Sequence, residues 1–537
     1  MSKNSWKKYF PYDAPREQQV HSIDKTLDAF RKSGKRFVIL EAGTGVGKSA
    51  VGVTVSRVLK DVKELTGEFE TGAYFLTTQK ILQDQYVNDF RSMRSIKSSS
   101  NYQCGFHKKN TCQQSQQMLR TADRESKFFK ACTINCHYKN EKKKFLESHE
   151  AVTNFPYFLA EAAYSGKIVP RDFLVVDEAH NIESELSKFI EVTISERFCK
   201  QTLKLPWKDH KTPYQAVGWI KQVYYPKAKS QYDFLQKKIE EYGIKDKLSE
   251  FAKIAKHCDI LSGHVKKIEK FLTVYNGQNW VMDKVPGMGR SMRKLTFKPI
   301  DVSAFAQEYL FRLGRRVLMM SATILDRETF CTSLGIPEAD VEFLSIPSPF
   351  PPKNRPVVYC PVGGMNTKNI EYTLPKLRDA VKMILAEHQG QKGIIHCHTY
   401  RIAKYLKQNV KDRRLLIHNS TNRDEILQKH INSKSATVLL SPSMGEGVDL
   451  KNDLSRFQVI CKIPYPFLGD PLIRKRMNKF PNWYSVQTAK MIMQSAGRSV
   501  RSENDSAVTY ILDEDWSRFF KRNKQLFPQY FINGIKG

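Results

Sequence analysis

The 537-residue chain contains no apolar run of about eighteen residues or more, which excludes a sequence-evident membrane-spanning helix. Its opening stretch, MSKNSWKKYFPYDAP, is basic but leads into no apolar segment. A secretory leader is therefore not expected. The expected location is cytoplasmic and nucleoid-associated, or nuclear, with no membrane partner. Internal repeats of about 20–50 residues and long low-complexity tracts are missing as well, so the length is not that of a repeat array. Cysteine is scarce, at ten residues. Without a leader, disulfides are not expected. Six cysteines stand isolated (Cys199, Cys258, Cys331, Cys360, Cys397 and Cys461) and read as small buried hydrophobes. Acidic residues are in deficit, 55 against 87 Lys and Arg, for a formal charge of +32. Such a balance calls for a polyanion, with nucleic acid first and a solvated basic surface as the alternative. The positive charge is spread along the chain, which suits a groove or channel better than a disordered arm.

What is present is a recurring local pattern. Short apolar runs lead into polar, glycine-rich or acidic turns: RFVIL (36–40), GAYFL (72–76), DFLVV (172–176) and RRVLMM (315–320) come first. KGIIHCH (392–398), ATVLLS (436–441), FQVICKI (457–463) and SAVTYIL (506–512) follow. Continuous apolar runs of this length suit strands buried on both faces of a parallel sheet. The helical patterns between them make the fold class α/β. In such sheets ligands bind at the carboxyl ends of the strands, so motifs distant in sequence are expected to converge. The length predicts two to four domains.

Two segments break the pattern. Residues 92–150 are polar, basic and cysteine-bearing. Residues 200–290 read as helical, with Leu235, Ile239 and Tyr242 at 4,3 spacing and Val265, Ile268 and Leu272 at 3,4 spacing. Both are read as insertions into a first α/β domain built from 1–91, 151–199 and 291–340. The Pro-rich SIPSPFPPKNRP (345–356) marks the join to a second α/β domain, 341–537.

The glycine loop EAGTGVGKSA (41–50) follows a strand pattern and precedes a helical one, the context of a phosphate cradle. Ala42 stands where the common motif has its first glycine, which is tolerable if its φ is negative. Gly43, Thr44, Gly45, Val46 and Gly47 would turn backbone N–H groups to the phosphates of ATP. Lys48 would reach the β/γ-phosphates and Ser49 would ligate Mg²⁺. DEAH (177–180) ends an apolar run, so Asp177 can hold Mg²⁺ and Glu178 can orient the attacking water. Two adjacent acids at a buried strand end require a cation. Further on, Gln494, Gly497, Arg498 and Arg501 form Q-x-x-G-R-x-x-R. On a helix, Gln494, Arg498 and Arg501 would share one face and could stabilise a transferring phosphoryl group. Cys104, Cys112, Cys132 and Cys136 are separated by 7, 19 and 3 residues, with His107 and His137 nearby. Spacing alone leaves zinc, iron–sulfur and no metal open, zinc slightly ahead.

With SAT (321–323) and GEGVD (445–449), this ordered set resembles superfamily 2 helicases. LTTQKILQDQY (76–86), AVTNFPYFL (151–159), VVDEAHNIE (175–183), MMSATI (319–324) and QSAGRSVR narrow the resemblance to the XPD/DinG family of iron–sulfur DNA helicases. It runs from PREQQ (15–19) to LFPQYF (526–531). It implies two RecA-like domains with ATP between them, Gly445 and Asp449 at the nucleotide, and Gln18 (or Gln19) reading adenine. It implies Thr77, Thr78 and Gln79 on the DNA backbone. It also implies a [4Fe–4S] cluster domain in 92–150 held by the four cysteines, and a helical arch in 200–290. Trp219, Tyr224 and Tyr225 in the arch would pack in a core or stack on bases. The implied activity is ATP-driven translocation on single-stranded DNA, 5′→3′, by a monomer that opens forked or tailed duplexes. The alternatives are a DNA-stimulated ATPase that remodels protein–DNA complexes and an RNA helicase.

Overall fold

The computed structural model describes residues 5–43, 45–61, 68–108, 110–119, 122–134, 136–244, 248–287, 292–419, 421–442, 450, 452–497, 499–500 and 505–536. Alternating side chains show how the apolar runs are used. In the strand Phe37–Ala42, Phe37 and Ile39 enter one apolar cluster, and Val38 and Leu40 enter another. In Arg171–Asp177, Leu174 and Val176 join the first cluster, Phe173 and Val175 the second. Successive residues of a strand face opposite ways, so both sheet faces are covered, as continuous apolar runs require.

Among the described residues, these strands lie in a seven-stranded parallel sheet. Its order is Val341–Ile346, Phe37–Ala42, Gly314–Ser321, Arg171–Asp177, Glu70–Thr77, Glu150–Asn154, Arg94–Ser95. Two of the strands shift the boundaries expected from sequence. Val341 pairs with Phe37 and Ile346 with Ala42, so the first sheet runs past residue 340 to 346. Arg94 and Ser95 pair with Ala151 and Val152, so the sheet also claims the start of segment 92–150. Both are edge strands, recruited because pairing satisfies backbone groups of the neighbouring strand. Composition does not register that.

The second sheet is also parallel and, among the described residues, seven-stranded. Its order is Leu415–Ile417, Val438–Ser441, Gly393–His396, Phe457–Ile460, Val508–Asp513, Val357–Gly363, Ile535–Lys536. Ile394 and Leu439 face one cluster, Ile395 and Leu440 the other.

The helical insertion stands on a small antiparallel sheet of Val192–Ser195, Lys294–Pro299 and Trp280–Val285. Its long helices are Tyr225–Ile244 and Leu248–Val274. Trp219 and Tyr224 are buried, and the Tyr224 hydroxyl is 2.8 Å from His264 Nε2. Tyr225 packs, partly buried, against the same core. These aromatics are core residues. The cysteine segment carries the helices Cys112–Leu119, Lys127–Ile134 and His137–Glu147. Met118 packs with Ile239, Ala255 and Cys258, so the two insertions touch. Among the described residues, no helix is long and apolar enough to cross a membrane.

The two α/β domains meet through the helices Pro471–Lys479 and Trp483–Ala496 of the second. Arg476, 5% exposed, pairs with Glu183 at 3.0 Å and donates to Ile300 O at 2.9 Å and Pro299 O at 3.1 Å. Trp483 Nε1 donates to Glu183 Oε2 at 3.0 Å. Replacing Arg476 by Met would leave the Glu183 carboxylate buried without its cation, an expected loss of about 3–5 kcal/mol at this contact. Urea melts of parent and variant read it; superimposable melts would show that the pair contributes nothing.

Candidate functional site

The strand Phe37–Ala42 delivers the glycine loop, and the helix Lys48–Asp61 carries the chain away. Gly45 and Gly47 have φ of +86° and +82°, a region costly to any residue with a Cβ. Ala42 closes the strand and is not among the residues with positive φ, so alanine there is unstrained. The Lys48 ammonium donates to Ala42 O at 3.1 Å.

The N-terminal end of the helix Glu17–Arg31, with its N-cap Arg16, clamps the loop. The Arg16 guanidinium bonds Gly45 O. The Gln19 amide lies 3.5 Å from Gly47 O while its Oε1 accepts from the Arg16 N–H at 2.9 Å. A Cβ on Gly47 would come within 2.3 Å of Gln19 Nε2. Gln18 is half-buried, and its carbonyl accepts from Ser22 Oγ at 2.6 Å. Of the two glutamines, Gln19 is the one against the loop.

The acidic pair faces Lys48 from the end of Arg171–Asp177. Asp177 accepts from the Tyr86 hydroxyl at 3.1 Å and from the Glu178 N–H at 3.0 Å. Burial, then the Glu178 charge, pushes the Asp177 carboxyl up to about 6, although Lys48 and the two hydrogen bonds pull it down. A divalent cation would remove that penalty. Glu178 has φ +52°, strain of about 1 kcal/mol that marks a functional turn. The turn brings His180 beneath the acids. His180 Nδ1 is 2.8 Å from Ser321 Oγ and 3.3 Å from Glu178 Oε2, and Nε2 is 2.8 Å from Gln494 Nε2. With the Gln494 amide donating, Nε2 accepts and Nδ1 carries the proton. Ser321 also takes the Thr323 N–H at 3.0 Å. Glu41 Oε2 accepts from the Leu325 N–H at 2.6 Å and holds the following turn. One hydrogen-bonded chain thus joins DEAH, SAT and the second domain.

Gln494 occupies the last turn of Trp483–Ala496, and Gly497 is the C-cap. Glycine ends the helix there, its backbone entropy favouring a cap over an interior position, and the face expected of Gln494, Arg498 and Arg501 falls beyond it. Arg498 and Arg501 themselves, with Thr44, Gly445 and Asp449, lie outside the described residues. Val46 is buried beneath the loop, and Ser49 is half-buried in the helix's first turn. Thr77 is fully buried and donates to Gln79 O at 3.1 Å. Its side chain caps the strand and does not face solvent; Thr78 and Gln79 are half-buried beside it.

Cys104, Cys112, Cys132 and Cys136 line one cavity, with Cys112 Sγ 3.9 Å from Cys136 Sγ. Among the described residues, no three His, Cys, Asp or Glu side chains stand ready to hold a metal ion. The His107 N–H points at Cys104 Sγ at 3.3 Å, and the Gln116 amide at Cys112 Sγ at 3.5 Å. Burial, then Cys136, raises the Cys112 thiol to about 12; burial, then Cys104, raises Cys132 to about 11.

Sequence reasoning missed Arg16, Tyr86, His180 as a hub, and Glu41. Each lies within or beside a quoted motif, but its partner comes from another strand end.

Residues 13–205 match the family described as type III restriction enzyme, res subunit, and residues 384–534 the helicase C-terminal domain. The ATP-dependent DNA helicase YoaA of Escherichia coli is 21% identical over 71% of this chain, which spans 66% of that protein's length. A probable ATP-dependent helicase of Methanocaldococcus jannaschii is 22% identical over 96% of this chain and 95% of its own. Among solved structures, an XPD helicase aligns with TM-score 0.66 at 16% identity, covering 96% of this chain and 98% of that one. Xpd4 of S. tokodaii aligns with TM-score 0.59 at 15% identity, covering 97% and 99%. At these identities the structural likeness speaks for the fold.

Proposed function

We propose, from the premise that this chain is a member of the XPD/DinG-like ATP-dependent helicases of superfamily 2, that it moves along single-stranded DNA in the 5′→3′ direction and separates forked or tailed duplexes. The observation that carries the reading is the His180–Gln494 contact, 2.8 Å across the two motor domains. It ties the acid that would orient water to the domain that would supply Arg498 and Arg501.

The roles follow from placement. Lys48 leaves Ala42 O to meet the β/γ-phosphates, and Gly43 through Gly47 supply backbone N–H groups. Ser49 and Asp177 hold Mg²⁺, Glu178 orients the water, and Arg498 and Arg501 offset charge on the transferring phosphoryl group. Gln18, or Gln19 against the loop, reads the adenine edge, Gly445 and Asp449 complete the second domain's side, and Thr78 and Gln79 meet the DNA backbone. The junction of the two insertions at Met118 supports a closed path where the duplex parts.

The four cysteines hold a [4Fe–4S] cluster in this reading. Their shared cavity and the N–H donors aimed at two sulfurs support it. A bound cluster would cross-link the segments around Cys104, Cys112, Cys132 and Cys136.

The test is unwinding of labelled duplexes bearing a 5′ or a 3′ tail, with iron, sulfide and zinc measured on anaerobically purified protein. The expected result is ATP-dependent opening of the 5′-tailed substrate alone, with about four irons per chain. ATP hydrolysis that leaves both duplexes intact would replace the helicase by a remodelling ATPase. Opening of the 3′-tailed substrate would reverse the polarity. One zinc and no colour would remove the cluster and leave the motor.

A further inference from the structure

We infer that Phe350 is a positioning residue through which the second motor domain sets the shape of the phosphate loop; the inference rests on the ATP site proposed above. Segment 348–356 crosses between the sheets, and its hydrogen bonds tie it to the second. The Ala507 N–H donates to Asn354 O at 3.0 Å, and the Thr509 N–H to Pro356 O at 2.9 Å. Arg355 donates to Phe350 O at 2.8 Å and stacks its guanidinium 4.0 Å from the Tyr530 ring centre. Tyr530 belongs to the C-terminal helix Gln529–Ile532. The backbone of Phe350 is therefore anchored to the second domain.

Its ring meets the first. A Cβ built on Gly45 would lie 2.1 Å from Phe350 Cζ, so the ring rests directly on the tip of the loop; at Gly43 the neighbour is Ser348, 3.3 Å away. Phe350 is 4% exposed and forms one apolar cluster with Val500 and Ala507. Val500 immediately precedes Arg501 in the chain. A single side chain touches the phosphate loop on one side and the segment leading to the arginine on the other.

The physical consequence is coupling. Glycine at 45 serves twice, for its φ of +86° and for room beneath the ring. A loop with two such glycines is soft, and a packed ring restricts it. Because segment 348–356 moves with the second domain, opening or closing the domains draws the ring along the loop. Loop shape and domain position then bias one another, a coupling that must be reciprocal.

The experiment compares Phe350→Ala and Phe350→Leu with the parent, as full chains. Fluorescent mant-ADP binding without DNA is expected within about 3-fold of the parent, while kcat of DNA-stimulated ATP hydrolysis falls about 10- to 100-fold with a smaller change in KM. Leucine keeps the contact with Val500 and Ala507 but not the flat ring on Gly45, so its kcat should fall between. A parental kcat in Phe350→Ala overturns the inference. So does a loss of kcat, mant-ADP affinity and Tm in step, which is the mark of packing alone. If Phe350→Ala does not fold, Phe350→Leu decides, and a parental kcat there overturns it. Parental mant-ADP binding and hydrolysis by Lys48→Ala would instead remove the ATP site on which the inference stands.

Discussion

Lys48→Ala is expected to lower ATP hydrolysis by about 10³-fold or more, because one preorganised cation at the transferring phosphoryl group carries that much of the rate. The structure makes the experiment clean. Lys48 is the first residue of the helix Lys48–Asp61, and its ammonium donates to Ala42 O at 3.1 Å. Alanine is the best helix former, so the helix should survive. The buried strand next to it owes its place to Phe37, Val38, Ile39 and Leu40, which the substitution leaves alone. DNA affinity should stay within about threefold of the parent, since phosphate contacts elsewhere supply it. Steady-state hydrolysis with single-stranded DNA, paired with a DNA-binding titration, reads both. Hydrolysis at the parental rate would place the ATP site somewhere other than this loop.

Raising salt from 50 to 200 mM should weaken binding to single-stranded DNA by about 300- to 10⁴-fold, if six to ten phosphates are neutralised at the single-strand slope of roughly −0.7 per contact. The charge of +32 supplies the cations. Many of them do not reach a ligand, because they are already paired. Arg476 is held by Glu183 and Arg293 by Glu196, and Lys142 lies 2.7 Å from Glu161. The slope of log affinity against log salt therefore counts the cations that actually meet phosphate. An affinity unchanged over this range would argue against a charged DNA path and leave the excess charge as solvated surface.

Much of this molecule is readable without coordinates because its signals are local. Apolar runs such as FVIL and FLVV are strands whose two faces enter two clusters. The glycine loop is legible as a turn, and Gly45 and Gly47 take the positive φ that glycine permits. DEAH falls at a strand end, as an acidic pair after an apolar run should. Readings that needed a partner fared differently. Gln494, expected in a set with two arginines at the phosphoryl group, sits at a helix's last turn and meets His180 of the first domain. Thr77, implied by resemblance to meet the DNA backbone, is a buried strand cap. Residue 340 is an adequate composition boundary, yet Val341–Ile346 pairs with Phe37–Ala42 in the first sheet.

Sequence by itself determined the α/β class, the order of strand and motif, the glycine loop and the surplus of positive charge. Each depends on neighbours in the chain: hydrophobic period, backbone freedom at glycine, and composition. Tertiary structure alone decided that Gln19 and Arg16 clamp the loop, that Tyr86 and Lys48 both face Asp177, that the two insertions touch at Met118, and that Phe350 rests on Gly45. Those pairings join residues tens to hundreds of positions apart. They arise because parallel sheets bring the carboxyl ends of distant strands to one edge, and no local pattern encodes which side chains will meet there.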